Sequence, residues 1–266
     1  MNNDGLRFGF GRNWERYIKE HFSEERVQIS QQHLLNFLKL NDLKGKYFLD
    51  VGCGSGLHSL AAFKIGASRI VSFDYDPKSV STTRMLREYV GNPAYWEIKQ
   101  GSILDLQFVD ALEPADIVYS WGVLHHTGDM WNAIENTARL VKKGGYLYLA
   151  LYTAGIMPPS DEFWLDVKQQ YNLGGWAKKR RMELWYVWEF MLYKRVRSIP
   201  YLVKRYYEYK KSRGMDLYTD LVDWLGGWPM EFAGIEQVKQ FCTEKLGMML
   251  INIKAGEANT EYLFKK

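Results

Sequence analysis

The sequence predicts a doubly wound α/β fold: a mainly parallel sheet, a terminal antiparallel hairpin and a helical insertion. Three observations carry this. Short apolar runs alternate with stretches of helical spacing from Lys46 to Tyr152. The first run, KYFLDV at 46–51, ends in the glycine loop GCGSG, the mark of a buried strand turning tightly. The alternation then breaks at Thr153 and resumes near Ile235, finishing in two strands with no helix between them.

In chain order, FGFGRN reads as a loop because two glycines sit between aromatics, and WERYIKEHF and ISQQHLLNFLKL read as helices. After the first strand and glycine loop, a helix runs from Leu57 to Ile65 and a second strand covers RIVSF at 69–73. A helix over Lys78–Val90 is stopped by Gly91, Asn92 and Pro93. Strands follow at Tyr95–Gln100 and Asp116–Ser120, then a helix at Trp131–Val141, a KKGG turn and the strand YLYLALY. The last helix is expected over Ile235–Lys245, and MMLINIK and TEYLFK form the hairpin. Right-handed crossovers make such an alternation doubly wound. The expected units are an N-terminal helical lid over 1–45, a core over 46–153 and 234–266, and a basic aromatic insertion over 154–233 that lids the substrate.

Apolar residues make up 47% of the 266, enough for a substantial core. No uncharged apolar run reaches membrane-spanning length, and the N-terminus lacks a basic region followed by an apolar one, so neither a membrane helix nor a signal peptide is expected. Cys53 and Cys242 form no zinc or disulfide pattern, which suits a reducing, cytoplasmic setting. The net charge of +4 is uneven: residues 154–215 hold 13 Lys/Arg against 6 Asp/Glu, leaving −3 for the rest. The same stretch holds 13 aromatics, including the clusters KKRRMELWYVWEF and KRYYEYKKSR. It reads either as a binding surface or as a solvated helical insertion with a buried aromatic face.

The loop reads Asp50-Val-Gly52-Cys53-Gly54-Ser-Gly56. A nicotinamide fingerprint, G-x-G-x-x-G, would need glycine at 57 or 59, where Leu and Ser stand, and no GK[ST] follows for a P-loop. An acid ahead of the glycines suits a positively charged ligand better than a phosphate. Asp74 closes the second strand, placed to accept from ribose hydroxyls, and Tyr75 beside it can stack on a purine.

FLDVGCGSGLHSLAA, VSFDYDP, QGSILDL, DIVYSWGVLHHTGD and LVKKGGYLYLALY together resemble the successive motifs of class I S-adenosylmethionine-dependent methyltransferases. The likeness is strongest to the ubiquinone-methylase-like small-molecule group. It is close over 46–153 and looser over 235–266; FGFGRNW and DWLGGWPMEF resemble flanks of bacterial members of that group, some of which occur with glycan or surface-polymer biosynthesis. It implies S-adenosylmethionine as cofactor and S-adenosylhomocysteine as product. Asp50, Gly52, Cys53, Gly54 and Gly56 would shape the methionine and ribose side, Asp74 would hold the ribose, and Tyr75 would flank the adenine. Ser102 stands where the family often has an acid for the adenine amino group, with Ile103 packing on the ring. Ser120 and Trp121 would sit beside the sulfonium and adenosine, and Trp14 and Arg26 would close over the methionine carboxylate.

His125 and His126 follow the fourth strand, on the edge where such sheets bind ligands. His125 is the candidate general base, and His126 the loop anchor. Asp129, Asp223 and Glu231 have no spacing that requires a metal. Tyr152, Asp223, Trp224, Trp228 and Glu231 are the candidate acceptor wall. The expected acceptor is a small molecule, an oxygen of a sugar, glycan precursor or other acidic metabolite. A quinone or lipid-linked acceptor at a membrane surface is the alternative, as is a cofactor-binding regulator without catalysis. Nucleic acid ranks below these, because +4 is modest and no RNA-binding module is appended.

Overall fold

The computed structural model describes residues 6–212, 217–256 and 258–266. Helices α1 (Phe10–His21) and α2 (Glu24–Leu38) open the chain. Phe10–Asn13 is therefore helical rather than loop. Gly11 is there for closeness, since a Cβ at this point would lie 2.6 Å from the Ser79 backbone nitrogen.

The expected alternation follows: β1 (Tyr47–Val51), α3 (Leu57–Lys64), β2 (Arg69–Asp74), α4 (Pro77–Tyr89) and β3 (Trp96–Gln100). Then come α5 (Leu106–Asp110), β4 (Ala115–Trp121), α6 (Met130–Arg139) and β5 (Val141–Tyr152). The single-turn α5 has too few residues to show a period; Asp105 caps it, accepting from Gln107 and Phe108 N–H. The KKGG stretch is not a turn before a strand but the start of β5 itself, where the pairing with β4 shifts register. Helices α7 (Asp161–Leu173), α8 (Trp176–Tyr186), α9 (Ile199–Ser212) and α10 (Leu217–Gly226) come next. Then α11 (Ile235–Gln240) runs on through a wider turn at Phe241–Lys245, and β6 (Met249–Ala255) and β7 (Asn259–Lys265) end the chain. Parts of two expected units, residues 1–5 of the N-terminal lid and 213–216 of the insertion, lie outside the described residues.

Among the described residues the strands form one sheet in the order β3-β2-β1-β4-β5-β7-β6. The pairs from β3 to β5 are parallel, and β7 runs antiparallel to both β5 and β6. Strand order reverses between β1 and β4, and there the carboxyl ends of parallel strands leave a crevice. All five residues of β1 are buried, because helices cover both faces. One face packs α1, α2 and α3 through Tyr17, Val27, Leu34 and Leu60, and the other packs α6 through Met130 and Ile134. Fully buried side chains such as Phe48 and Leu49 contribute roughly 1.5–3 kcal/mol each.

Residues 154–233 leave and rejoin the sheet side by side. The Ala154 N–H donates to Ala233, and the Ala233 N–H donates to Tyr152. Between these points a separate apolar cluster forms around Trp164, Tyr171, Leu221, Trp224 and Leu225. The unit is tied to the N-terminal helix, where Asn13 donates from α1 to the Thr219 carbonyl of α10 at 3.0 Å.

Candidate active site

The crevice is built on the glycine loop. Gly52 has φ +77° and Gly54 φ +52°, conformations that β-carbons disfavour. A Cβ on Gly52 would also fall 2.3 Å from Val123, and one on Gly54 3.1 Å from the Trp14 indole nitrogen. The loop is thus fitted first to its own protein, with Val123 beyond β4 on one side and Trp14 of α1 on the other. Asp74 locks it from below, accepting from Gly54 and Asp76 N–H at 2.9 Å each. Burial pushes the Asp74 carboxyl up to about 6, against the pull of those two N–H groups. Tyr75 next to it is exposed, with the Arg7 guanidinium stacked 5.0 Å from its ring centre. Ser102 accepts from Leu104 N–H, and Ile103 is buried with its carbonyl held by Asn136.

Several expected cofactor contacts are corrected. Asp50 does not face the loop: it is buried and accepts from Ser59 at 2.5 Å. Ser59 in turn meets Ser72, to which the Trp96 indole N–H donates. The strand's pleat, which sends alternate side chains to opposite faces, carries Asp50 under α3. Burial raises it to about 7. Cys53 is sealed in with Thr83 as its hydroxyl donor, and burial drives its thiol upward, so it offers no thiolate. Ser120 is fully buried and donates to the Val51 carbonyl within the sheet. Trp121 turns toward β7 and donates to Glu261 at 3.4 Å.

The acceptor side begins where β4 and β5 end. His125 is fully buried, with Tyr152 N–H directed at its Nδ1 at 3.3 Å. The neutral ring therefore carries its proton on Nε2, and that atom is buried without a partner. Burial, then His126 and Lys168, keep His125 far below the usual imidazole range. His126 donates from Nδ1 to the Pro229 carbonyl at 2.8 Å, and burial lowers it to about 3. The expectation of a general base at His125 is corrected by this geometry. The lone pair faces a backbone N–H, and the other nitrogen is a buried donor.

Tyr152 stands 4.2 Å from the His125 ring and meets Trp224 edge-on at 5.3 Å. Lys168, on the apolar stripe of α7 with Trp164, Val167 and Tyr171, was not singled out from the sequence. It is fully buried, donates to the Trp224 carbonyl and lies 4.3 Å from the centre of the Trp224 ring. A lysine four residues after a tryptophan on a buried helical stripe is the signal that marks it. Burial lowers Lys168 to about 7, with Asp223 opposing, and raises Asp223 to about 8. Asp223 accepts from Asn13 at 2.7 Å. The indole nitrogens of Trp224 and Trp228 are buried without acceptors. Glu231 is a correction: its carboxylate caps α6, accepting from Met130 N–H at 2.8 Å, and does not join the wall.

A strap from the N-terminus crosses the crevice. Arg7 donates to the carbonyls of His126 and Thr127, Phe8 N–H donates to Trp228, and Gly11 N–H donates to Asp76. Further along α1 and α2, Trp14 packs edge-on to Tyr17, and the Arg26 guanidinium lies 5.1 Å from the Tyr17 ring centre. Arg26 is 7% exposed, and its Nη1 has no partner. A buried cation stacked on Tyr17, a carboxylate at the end of β2 and an exposed tyrosine beside it suit a nucleoside joined to an amino acid.

Residues 49–149 match the family model described as methyltransferase domain. Over 127 residues the chain is 31% identical to a tRNA U34 carboxymethyltransferase of Hahella chejuensis, covering 46% of this chain and 36% of that protein. It is 46% identical over 50 residues to a ribosomal protein L11 methyltransferase of Tolumonas auensis, covering 19% of this chain and 17% of the relative. The chain thus spans well under half the length of either. Its fold is similar to that of the magnesium protoporphyrin IX methyltransferase of Synechocystis, solved with bound S-adenosylhomocysteine, with a TM-score of 0.54 at 12% identity over 96% of this chain and 93% of that one. Glycine loop, Asp74, strand order and matched segment agree: the chain carries a methyltransferase domain of the class I, S-adenosylmethionine-dependent, Rossmann-like type.

Proposed function

We propose that this chain transfers a methyl group from S-adenosylmethionine to an oxygen of a small, acidic acceptor such as a sugar acid or phosphorylated glycan precursor. The carrying observation is the set of buried donors beyond β4 and β5. His125 Nε2, Trp224 Nε1 and Trp228 Nε1 lack acceptors, and Lys168 lies over Trp224. Unsatisfied buried donors cost about 1–3 kcal/mol each, and an anionic oxygen is the partner that removes this cost.

On the cofactor side, Asp74 takes the ribose hydroxyls, Tyr75 flanks the adenine, and Arg26, with Trp14 above the loop, takes the methionine carboxylate. The bound cofactor supplies an electrophilic methyl on a positive sulfur. The protein's task is to hold the acceptor oxygen in line, about 3–3.5 Å away, and to exclude water. An acceptor already ionised needs no base, which agrees with His125 presenting N–H rather than a lone pair. The helices of 1–45 and the unit at 154–233 act as lids: Asn13 joins them through Asp223, and Arg7 ties the strap to the histidine loop.

This enclosure supports a small acceptor over the macromolecules named for the curated relatives. Isothermal calorimetry with S-adenosylhomocysteine, followed by incorporation of labelled methyl into fractionated small acidic metabolites, lipids, bulk tRNA and protein, tests the reading. Label in the small acidic fraction is expected. Label confined to tRNA or protein overturns the acceptor, and cofactor binding with no label in any fraction supports the regulator instead.

A further inference from the structure

The outer surface of the insertion is surplus to its fold. Of the 17 large hydrophobic side chains exposed among the described residues, 10 fall between Leu173 and Tyr207. They recur at helical intervals. Along α8 and the turn after it, Trp176, Leu184 and Trp188 stand exposed in register with Arg180, at four-residue steps. Along α9 the same step places Ile199, Val203 and Tyr207 outward. The other side of α8 meets the insertion's core through Met182 and Trp185, and on α9 the rows next to the exposed ones do so through Leu202 and Tyr206. The outward stripes are therefore apolar surface that this core leaves uncovered.

The stretch of chain that bears these stripes is also strongly basic. Residues 173–207 carry 9 Lys/Arg and 2 Asp/Glu. Both acids are already engaged: Glu183 with Arg180 and Tyr171, and Glu189 with Lys194. In the connector, Tyr193 through Arg197 are all exposed and alternate ring, cation and aliphatic side chain. No helix among the described residues is long and apolar enough to cross a membrane.

We infer that the α8–α9 face docks on an anionic lipid bilayer, lying in the headgroup region rather than spanning it. Three properties select this occupant. The surplus cations complement anionic headgroups. Trp176, Trp188 and Tyr207 have the ring chemistry that settles at the headgroup level, and Leu184, Ile199 and Val203 are the aliphatic groups that enter the acyl boundary. A second copy of the chain would set the same excess of positive charge against itself across a two-fold interface. Single-stranded RNA is held by cations and stacking rings, which leaves the exposed aliphatic residues without a role. The inference is independent of the acceptor, since it rests on exposed side chains, whereas Lys168 and Trp224 are buried.

Vesicle flotation of the full chain tests it, with phosphatidylcholine alone, phosphatidylcholine mixed with phosphatidylglycerol, and high salt added. The chain should float with the anionic vesicles, little with the neutral ones, and less as salt rises. Arg181→Glu with Arg197→Glu should lower partitioning roughly fivefold or more per charge. Trp176→Ser with Trp188→Ser should lower it at least as far, while both double variants bind S-adenosylhomocysteine normally. No flotation on anionic vesicles by protein that still binds S-adenosylhomocysteine overturns the inference. So does flotation indifferent to both variants, or a face whose substitution abolishes only tRNA binding or only self-association.

Discussion

Asp50→Asn probes the link between the glycine loop and the fold. Asp50, next in line before the glycine loop, is sealed under α3, and burial raises it from 3.8 to about 7, with Ser59 pulling the other way. A carboxyl raised on folding stabilises the native state fully below its unfolded value and loses that contribution as pH rises through its folded value. Each tenfold change in proton affinity is worth about 1.36 kcal/mol, so a rise of about three powers of ten comes to about 4 kcal/mol in all. Between about pH 5 and pH 8 the loss is about 2–3 kcal/mol. Asparagine keeps an oxygen for Ser59 and has no proton to lose. The difference in unfolding free energy, variant minus wild type, should therefore rise by about 2–3 kcal/mol over that range. Asp74 and Asp223 also titrate there, but both proteins contain them, so they largely cancel in the difference. Urea titrations at matched ionic strength across that pH range measure it. A difference that stays flat within about 0.5 kcal/mol would show that Asp50 ionises as an ordinary carboxylate, and the account of a buried acid under α3 would fail.

Asp74→Asn removes the charge proposed to receive the ribose hydroxyls and should weaken S-adenosylhomocysteine binding about tenfold or more by calorimetry; unchanged affinity would misplace the ribose. His125→Gln keeps an N–H donor while removing the imidazole, so turnover should survive within about tenfold, with no titrating limb lost near pH 6.5. A wild-type limb there that vanishes in the variant would restore His125 as a base. Glu231→Ala uncaps α6 and should cost about 1 kcal/mol of stability with cofactor affinity unchanged; a stable variant would show that the cap carries nothing.

The strands, the glycine loop and the acid at the end of β2 are legible in the chain because each depends on neighbours within a few residues. Apolar runs of strand length, turns that need positive φ and helix stops are local properties, and together they name the sheet and its ligand-binding edge. The flank from 1 to 45 and the stretch from 154 to 233 are visible as helical and as basic and aromatic for the same reason. Side-chain direction at the site is not local. Asp50 looks like a loop ligand until the pleat of β1 turns it under α3, and Glu231 looks like a pocket wall until α6 presents Met130 N–H to it. The contact between Asn13 and Asp223 spans 210 positions, and that between Arg7 and Thr127 spans 120. Lys168 gains its altered proton affinity only when α7 and α10 close around it. Spacing along the chain specifies which residues reach the sheet's carboxyl edge. Only packing decides which of them face the crevice, because burial and hydrogen-bond partners come from segments far apart in the chain.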